Sequence, residues 1–341
     1  MRPVYAYVCE SGFQHAHPIA AMLRVLDAPV FTTGPRISER LGQQTEVIRC
    51  RREDLPEAIA ARKVDVLLST SQGLAPVWLR ARRPGLKVVF LGHGESDKTH
   101  GHGPRPRPSW HANPVNRQFD LMLIASHRHF EQASNERKEL VGSLKHDLYV
   151  HGGLGERRPE PDWVLWAPGW GRHCGVEHWL DSAVTACAEM GLRLVIHFHP
   201  MSYQVDLNAV HRAFSAVLAH RHVRVARCLQ ILDLMSRCSV MLADVSSANY
   251  DWLFFDRPMI FTDHPGLRFP AEKTLFDIDH HVRDAAALAA ALQDSMKRPE
   301  RNSLKRRQAL SERYFQPDGH AAERCLEATE RWWGERWSSA C

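Results

Sequence analysis

No run of apolar residues in this 341-residue chain approaches the roughly 20 that a membrane span requires. Stretches such as VVFLG near residue 90 and LMLIA near residue 123 have the length of buried strands. The start, MRPVYAYVCESG, passes directly into a strand-like pattern and lacks the long apolar region of a secretory signal, so a cytoplasmic location is expected. Paired cysteines are missing too. The eight thiols, Cys9, Cys50, Cys174, Cys187, Cys228, Cys238, Cys325 and Cys341, form no C-x-x-C pair and no dense framework. That excludes a disulfide scaffold and leaves reduced thiols as the expectation. There is no low-complexity tract and no repeat at a solenoid period, while 44% hydrophobic and 24% charged residues describe a folded chain. A large excess of one charge is also lacking. With 44 Lys and Arg against 39 Asp and Glu the net charge is +5, which suits phosphate-bearing partners and argues against nucleic acid.

What is present is alternation. Short apolar runs (VYAYVC, TEVIRC, VDVLLST, KVVFLGHG, FDLMLIAS) are interleaved with helical patterns (HPIAAMLRVL, LPEAIAARK, LAPVWLRAR, HRHFEQASNERKEL). Strands rich in Val, Ile and Leu, followed by helical stretches, are what a parallel sheet covered on both faces needs. After HGGLGERRPEPD, dense in Gly, Pro and charge, a second series begins: DWVLWAP, RLVIHFHP, VRVAR, SVMLADVSS and RPMIFT, each with its helix. The length also exceeds what one core usually holds. The expected fold is α/β, with two Rossmann-like doubly wound domains facing across a cleft. The first spans residues 1–150 on the acceptor side, the second 160–315 on the nucleotide-donor side. A C-terminal helix, 316–341, packs back on the first or, through Trp332, Trp333 and Trp337, anchors at an interface.

In such sheets ligands bind beyond the carboxyl ends of the strands, so polar residues just after an apolar run are the candidates. FLGHGESDKTHGHG offers His93 between Gly92 and Gly94 as a base, and Lys98 as a phosphate holder. His100 and His102 lie near, but no carboxylate or thiol at ligand spacing completes a zinc site, and no metal is expected. LVIHFHP ends in His199 and Pro200, with His197 and His199 on one face of the strand. In SVMLADVSSANYDWLFF, Asp244, Ser246 and Ser247 fall where a strand gives way to a helix. Free N–H groups, the helix dipole and two hydroxyls at such a turn suit a phosphate, whereas capping alone needs one Ser. Arg172 and His173, in WAPGWGRH, enter the same rim, where an Arg either forks onto phosphate or is a solvated loop residue.

Taken together these segments resemble the CDP-glycerol glycerophosphotransferase family, the enzymes that build teichoic acids and related glycerol-phosphate polymers. His93, Gly94 and Lys98 are similar to its H-G motif followed by Lys, and Gly142 and Asp147 in VGSLKHDLY to its G-x-x-x-x-D segment. APGWGR, the His199–Pro200 pair, DVSS at 244–247, Asp251 and RPMIF at 257–261 follow the family's order, and YFQPDGHAAERC resembles its F-x-D-G-x-A-x-E-R ending. The likeness runs from about residue 87 onward. Val245 stands where the family has an aromatic residue, Gly171 interrupts its W-R pair, and the first 85 residues show no family signature.

The resemblance implies a GT-B fold and transfer of glycerol phosphate, or a related polyol phosphate, from a CDP-linked donor to an acceptor hydroxyl, with release of CMP and no cofactor. It implies catalytic roles for His93, as base from the opposite lobe, and for His199. Lys98, Arg172, His173, Ser246, Ser247 and the helix N-terminus hold the diphosphate, while Asp244 and Asp251 orient neighbours or touch ribose. The partners implied are a CDP-linked polyol donor and a glycan or lipid-linked acceptor of envelope or capsule synthesis. Two other readings stand beside it: a GT-B glycosyltransferase using a nucleotide-sugar donor, and a non-catalytic nucleotide-binding subunit of an envelope-polymer assembly. The basic stretch MKRPERNSLKRRQALSERY is either a solvated helix face or a peripheral contact with the inner face of the membrane.

Overall fold

The computed structural model describes residues 3–9, 16–34, 37, 41, 43–71, 85–92, 110–226, 231–264 and 275–338. The chain divides into two compact units, the first built from residues 1–95, 99–152 and 311–341, the second from 96–98 and 153–310.

In the first unit the apolar runs form seven parallel strands: β1 (Tyr5–Cys9), β2 (Val30–Thr32), β3 (Val47–Arg49), β4 (Val66–Ser69), β5 (Lys87–Leu91), β6 (Leu121–Ile124) and β7 (Lys138–Leu140). They lie in the order β3-β2-β1-β4-β5-β6-β7. Successive side chains of a strand point to opposite faces, and here both faces are buried. Tyr7, Cys9, Leu68, Val89 and Leu91 enter one core; Ala6, Val8, Leu67, Val88 and Phe90 enter another. This two-sided burial is why the strands read as unbroken apolar runs. Helices Ala16–Met22 and Leu144–His151 cover the first of these faces together with the helix Ala321–Ser338. That last helix contributes Ala321, Ala322, Cys325, Ala328 and the 8%-exposed Trp332 to the core, with Trp333 packed against it. Trp337 has no described side chain.

The second unit carries six parallel strands: β8 (Glu160–Ala167), β9 (Arg193–Ile196), β10 (Val223–Val225), β11 (Cys238–Ala243), β12 (Met259–Thr262) and β13 (His280–Val282). Their order is β10-β9-β8-β11-β12-β13. Helices Val176–Glu189, Leu207–Ala219 and Ala285–Lys297 bury Trp179, Ala183, Ala213, Leu288 and Leu292 against Val164, Trp166, Leu194 and Ile196 of the sheet. Both units are Rossmann-like and doubly wound, the GT-B type of fold expected.

Two readings of the sequence need correction. HRHFEQASNERKEL was read as one helix. The helix stops at Gln132, and Lys138–Leu140 is an edge strand. The basic stretch is not one helix: Met296 and Lys297 end the helix Ala285–Lys297, Ser303–Arg313 forms another, and much of its charge is met internally. Arg298 and Arg301 pair with Asp294, Arg307 with Asp256, and Arg306 is 1% exposed between Asp256 and Asp279. Among the described residues no helix is long and apolar enough to cross a membrane.

Candidate active site

In the second sheet the chain winds from β8 outward through β9 to β10, then returns and winds the other way from β11. The order reverses between β8 and β11, and in doubly wound sheets the carboxyl ends of the strands at such a reversal frame a ligand crevice. The segments leaving β8, β9, β11 and β12 carry most of the residues singled out above.

Asp244, immediately after β11, ties two of these segments together. It is wholly buried, and its carboxylate accepts the backbone N–H of Gly169 on Oδ1 and that of Gly175 on Oδ2, the latter at 3.1 Å. Both ends of the loop after β8 are thereby clamped. A buried anion is sustained by such charge-assisted bonds. A Cβ at Gly169 would lie 2.9 Å from that carboxylate and 2.9 Å from His173, so the close approach requires glycine there. Gly171, at φ +62°, takes the left-handed backbone that glycine favours, and both oxygens of Asp206 lie 3.0–3.1 Å from its N–H. Asp251 is likewise buried, at 2% exposed. For Asp244 the geometry supports the orienting role over the expected contact with the donor.

His199 follows β9, which was expected to run as far as Pro200. The strand ends at Ile196, with one further ladder bond from His197 N–H to the Trp166 carbonyl at 2.8 Å. Pro200 has no N–H to continue the ladder, and the chain turns: the His199 carbonyl receives Ser202 N–H, and His199 Nδ1 accepts Met201 N–H at 3.1 Å. The alternation survives, with Phe198 buried and His197 and His199 half-buried. A ring nitrogen that accepts carries the lone pair, so Nε2 carries the proton in the neutral ring. With Nδ1 engaged, the neutral ring of His199 has an N–H, and no lone pair, on Nε2. Its ring stacks on Trp170, centroids 5.8 Å apart and 26° between planes.

The two serines differ. Ser246 is buried and its Oγ accepts Ala248 N–H at 3.3 Å, a local turn bond. Ser247 occupies the N-cap position, is half-buried, and makes no capping bond with its side chain. The helix behind them, Ala248–Trp252, is five residues long and tightens into a 3-10 turn at Leu253–Phe255. So few aligned peptide units sum to little dipole, and the expected helix-dipole contribution shrinks accordingly. Arg172 is exposed on the turn Gly171–His173, and His173 is buried beneath it. His93 and Lys98 lie outside the described residues.

Three residues of this edge escaped the sequence reading. Trp170 supplies the surface on which His199 stacks, and Asp206 holds Gly171. His264, after β12, bonds the backbone of His173, and burial keeps its imidazole below the ordinary histidine range although that bond opposes the shift. Asp263 and His264 stand directly after RPMIFT, so the strand-end rule applied to the other three segments would have found them. Among the described residues one trio of metal-type ligands occurs, His151, His320 and Glu323 in the first unit, with donor atoms within 4.8 Å of one another.

Comparison with known proteins decides what this edge belongs to. Residues 161–330 match the model of the CDP-glycerol:poly(glycerophosphate) glycerophosphotransferase family. Just under half of the chain, most of the second unit and the start of the closing helix, is thus similar to that family. The chain is also similar in fold to the wall teichoic acid polymerase TagF, with a TM-score of 0.66 at 13% identity over 97% of this chain and 90% of that one. The UDP-GlcNAc 2-epimerase from Methanocaldococcus jannaschii gives 0.60 at 10% identity, covering 96% and 99%. A glycosyltransferase from Rickettsia africae gives 0.54 at 11%, covering 96% and 97%. No curated protein matches the sequence itself. At these identities the solved structures establish the fold, and the family match establishes a CDP-glycerol glycerophosphotransferase-like enzyme.

Proposed function

We propose that this transferase moves glycerol phosphate, or a related polyol phosphate, from a CDP-linked donor to an acceptor hydroxyl during synthesis of a cell-envelope or capsule polymer of the teichoic-acid kind, working in the cytoplasm at the inner face of the membrane. The observation that carries the reading is the clamp of Asp244 on Gly169 and Gly175, which fixes the loop bearing Trp170, Arg172 and His173 to the segment after β11, at the point where the strand order reverses.

The reaction forms a bond from the acceptor oxygen to the donor's β-phosphorus and breaks the bond from that phosphorus to the bridging oxygen, which leaves with CMP. The acceptor's proton goes to an imidazole, the role assigned to His93; a ring with a pKa near neutrality suits it. Charge grows on the departing CMP. His199 Nε2–H, the Arg172 guanidinium and the Ser247 hydroxyl are the donors offered to it, and positioning with charge stabilisation supplies most of the catalysis in phosphoryl transfer. Asp244 acts through the loop. The first unit supplies the acceptor side, and a lipid-linked or glycan acceptor matches this division of labour.

Offering CDP-glycerol, UDP-GlcNAc and GDP-sugars separately tests the reading. CMP appearing from CDP-glycerol only when an acceptor is present, with at least a hundredfold loss in His199→Ala and in His93→Ala, is the expected result. Nucleotide released from a UDP- or GDP-sugar instead would establish a glycosyltransferase, and full turnover by His93→Ala would overturn the assignment of the base.

A further inference from the structure

The second sheet has two faces, and one end of one face is open. Val164, Trp166, Leu194, Ile196 and Val223 point into the core. The alternate residues Trp163, Arg193, Val195 and Arg224 point the other way, where the helix Ile231–Arg237 packs against β8 and leaves a groove of about 520 Å³. Its floor is apolar, made by Trp163, Val195 and Leu234, and arginine dominates its rim.

Pairing within the groove is incomplete. Arg193 is matched by Asp162 at 2.9 Å, and the acid of the groove, Asp233, by Arg157 at 3.3 Å. Arg224 gives one nitrogen to the carbonyls of Arg221 and Val223, which carry no net charge. Among the described residues Arg221, Arg224 and Arg237 have no carboxylate partner, and all three are exposed. Three like charges held around one apolar hollow raise the local potential and favour an anion of matching extent. Guanidinium forks suit phosphate oxygens in particular.

The anion is not the donor's diphosphate. Arg193 opens β9, Arg221 precedes β10 and Arg237 ends the helix directly before β11, all at the amino ends of the strands, whereas His199 lies beyond the carboxyl end of β9, so these cations stand about four strand residues, roughly 13 Å, from the catalytic edge. The cations are spread over the entry to β10, β10 itself and the end of a helix, which fits several phosphates in a row better than one.

We propose that this groove is a second anion site that holds phosphodiester groups of the polymer chain, remote from the reacting hydroxyl. The inference rests on the polyol-phosphate reading of the activity. Function would follow from geometry: a chain gripped at a second point stays tethered between additions, and its affinity rises with the number of phosphates engaged.

The test is binding of a fluorescent poly(glycerol phosphate) oligomer to the full chain, wild type against Arg221→Glu/Arg237→Glu, over a salt series. At least tenfold weaker binding and a shallower salt dependence are expected, with unchanged turnover of CDP-glycerol on a single-unit soluble acceptor. The milder Arg221→Gln/Arg237→Gln, checked for an unaltered melting temperature, should fall between the two. Wild-type polymer affinity in the folded double variant overturns the proposal. So does a groove that responds only to vesicles of anionic phospholipid, or to inorganic phosphate with no gain from chain length. If polymer binding depends on the arginines while CDP-glycerol is never turned over, the groove stands and the activity reading falls.

Discussion

The carboxylate of Asp147 accepts the backbone N–H of Ala322 at 2.7 Å, and on its other oxygen that of Ala321 at 3.0 Å, joining parts of the chain 175 residues apart. Two segments that resemble separate family motifs, VGSLKHDLY and YFQPDGHAAERC, are thus one joint. Gly142 completes it at φ +91°, where a Cβ would stand 2.7 Å from the Phe315 carbonyl oxygen and 2.8 Å from the Arg324 guanidinium. Arg324 in turn donates to the Val141 carbonyl at 2.7 Å and pairs with Asp318, whose carboxyl it pulls down to about 2.

Removing the joint should release the closing helix rather than unfold the sheet at once. Asp147→Ala leaves two N–H groups of the first helical turn without acceptors and is expected to cost about 2 kcal/mol. Gly142→Ala, strained in backbone and crowded at Cβ, is expected to cost about 3 kcal/mol. Hydrogen exchange should show Ala321–Ser338 losing protection first. Wild-type urea midpoints in both variants would refute the joint.

His146 beside this joint gives the first unit an acid-sensitive element. Burial pushes its imidazole down to about 4, with His151 adding to the shift and Asp318 opposing it. A depressed folded pKa means that the fold accepts the neutral ring. The contribution is therefore fully present above the unfolded value of about 6.5 and is lost as pH falls toward 4, by at most about 3 kcal/mol. His146→Gln should flatten the stability profile between those pH values. A variant profile as steep as the wild type's would place the acid sensitivity elsewhere.

The sequence made some of this visible and hid the rest for identifiable reasons. β1, β4, β5, β6 and β8 are buried on both faces and so advertise themselves as apolar runs. β7, three half-buried residues written KEL, carries no such signal and follows a helical pattern, so it merged with it. β2 and β13 are equally brief. At the candidate site the strand-end rule found His199, Asp244 and the serines, because proximity to a strand end is local information. What Asp244 does was invisible, since its partners are the backbone N–H groups of Gly169 and Gly175, some 70 residues away and chemically silent in a sequence. The length of the helix after Ser247 was also hidden: Asp256, at φ +50°, ends it, and only coordinates show that turn.

Arg306 is the core's largest buried cation, and its loss should be severe. Its Nε lies 3.0 Å from Asp256 and its Nη1 2.9 Å from Asp279, while Nη2 donates to the Pro299 carbonyl at 2.7 Å. Arg306→Ala leaves the 3%-exposed Asp279 without a countercharge, while the more exposed Asp256 keeps Arg307, and is expected to cost about 3 kcal/mol. Arg306→Lys should recover only part, because an ammonium cannot reproduce the planar fork. Chemical denaturation of the three proteins decides it; a lysine variant as stable as the parent would show that charge alone suffices.

Ser246 and Ser247 provide the sharpest separation of stability from binding. Ser246 Oγ is engaged with Ala248 N–H, so Ser246→Ala should lower stability by about 1 kcal/mol. Ser247 makes no capping bond, so Ser247→Ala should leave stability within about 0.5 kcal/mol of the parent. If its hydroxyl grips the donor, that same variant should bind CDP-glycerol about tenfold more weakly, roughly 1.4 kcal/mol. Because a ligand that binds only the folded state raises the melting temperature by mass action, the thermal shift given by CDP-glycerol should shrink in Ser247→Ala. In Ser246→Ala the starting melting temperature should drop while the shift persists. The reverse pattern, with Ser247→Ala destabilised and its nucleotide shift intact, would mean that Ser247 serves the fold and that the donor is held by other groups along this edge.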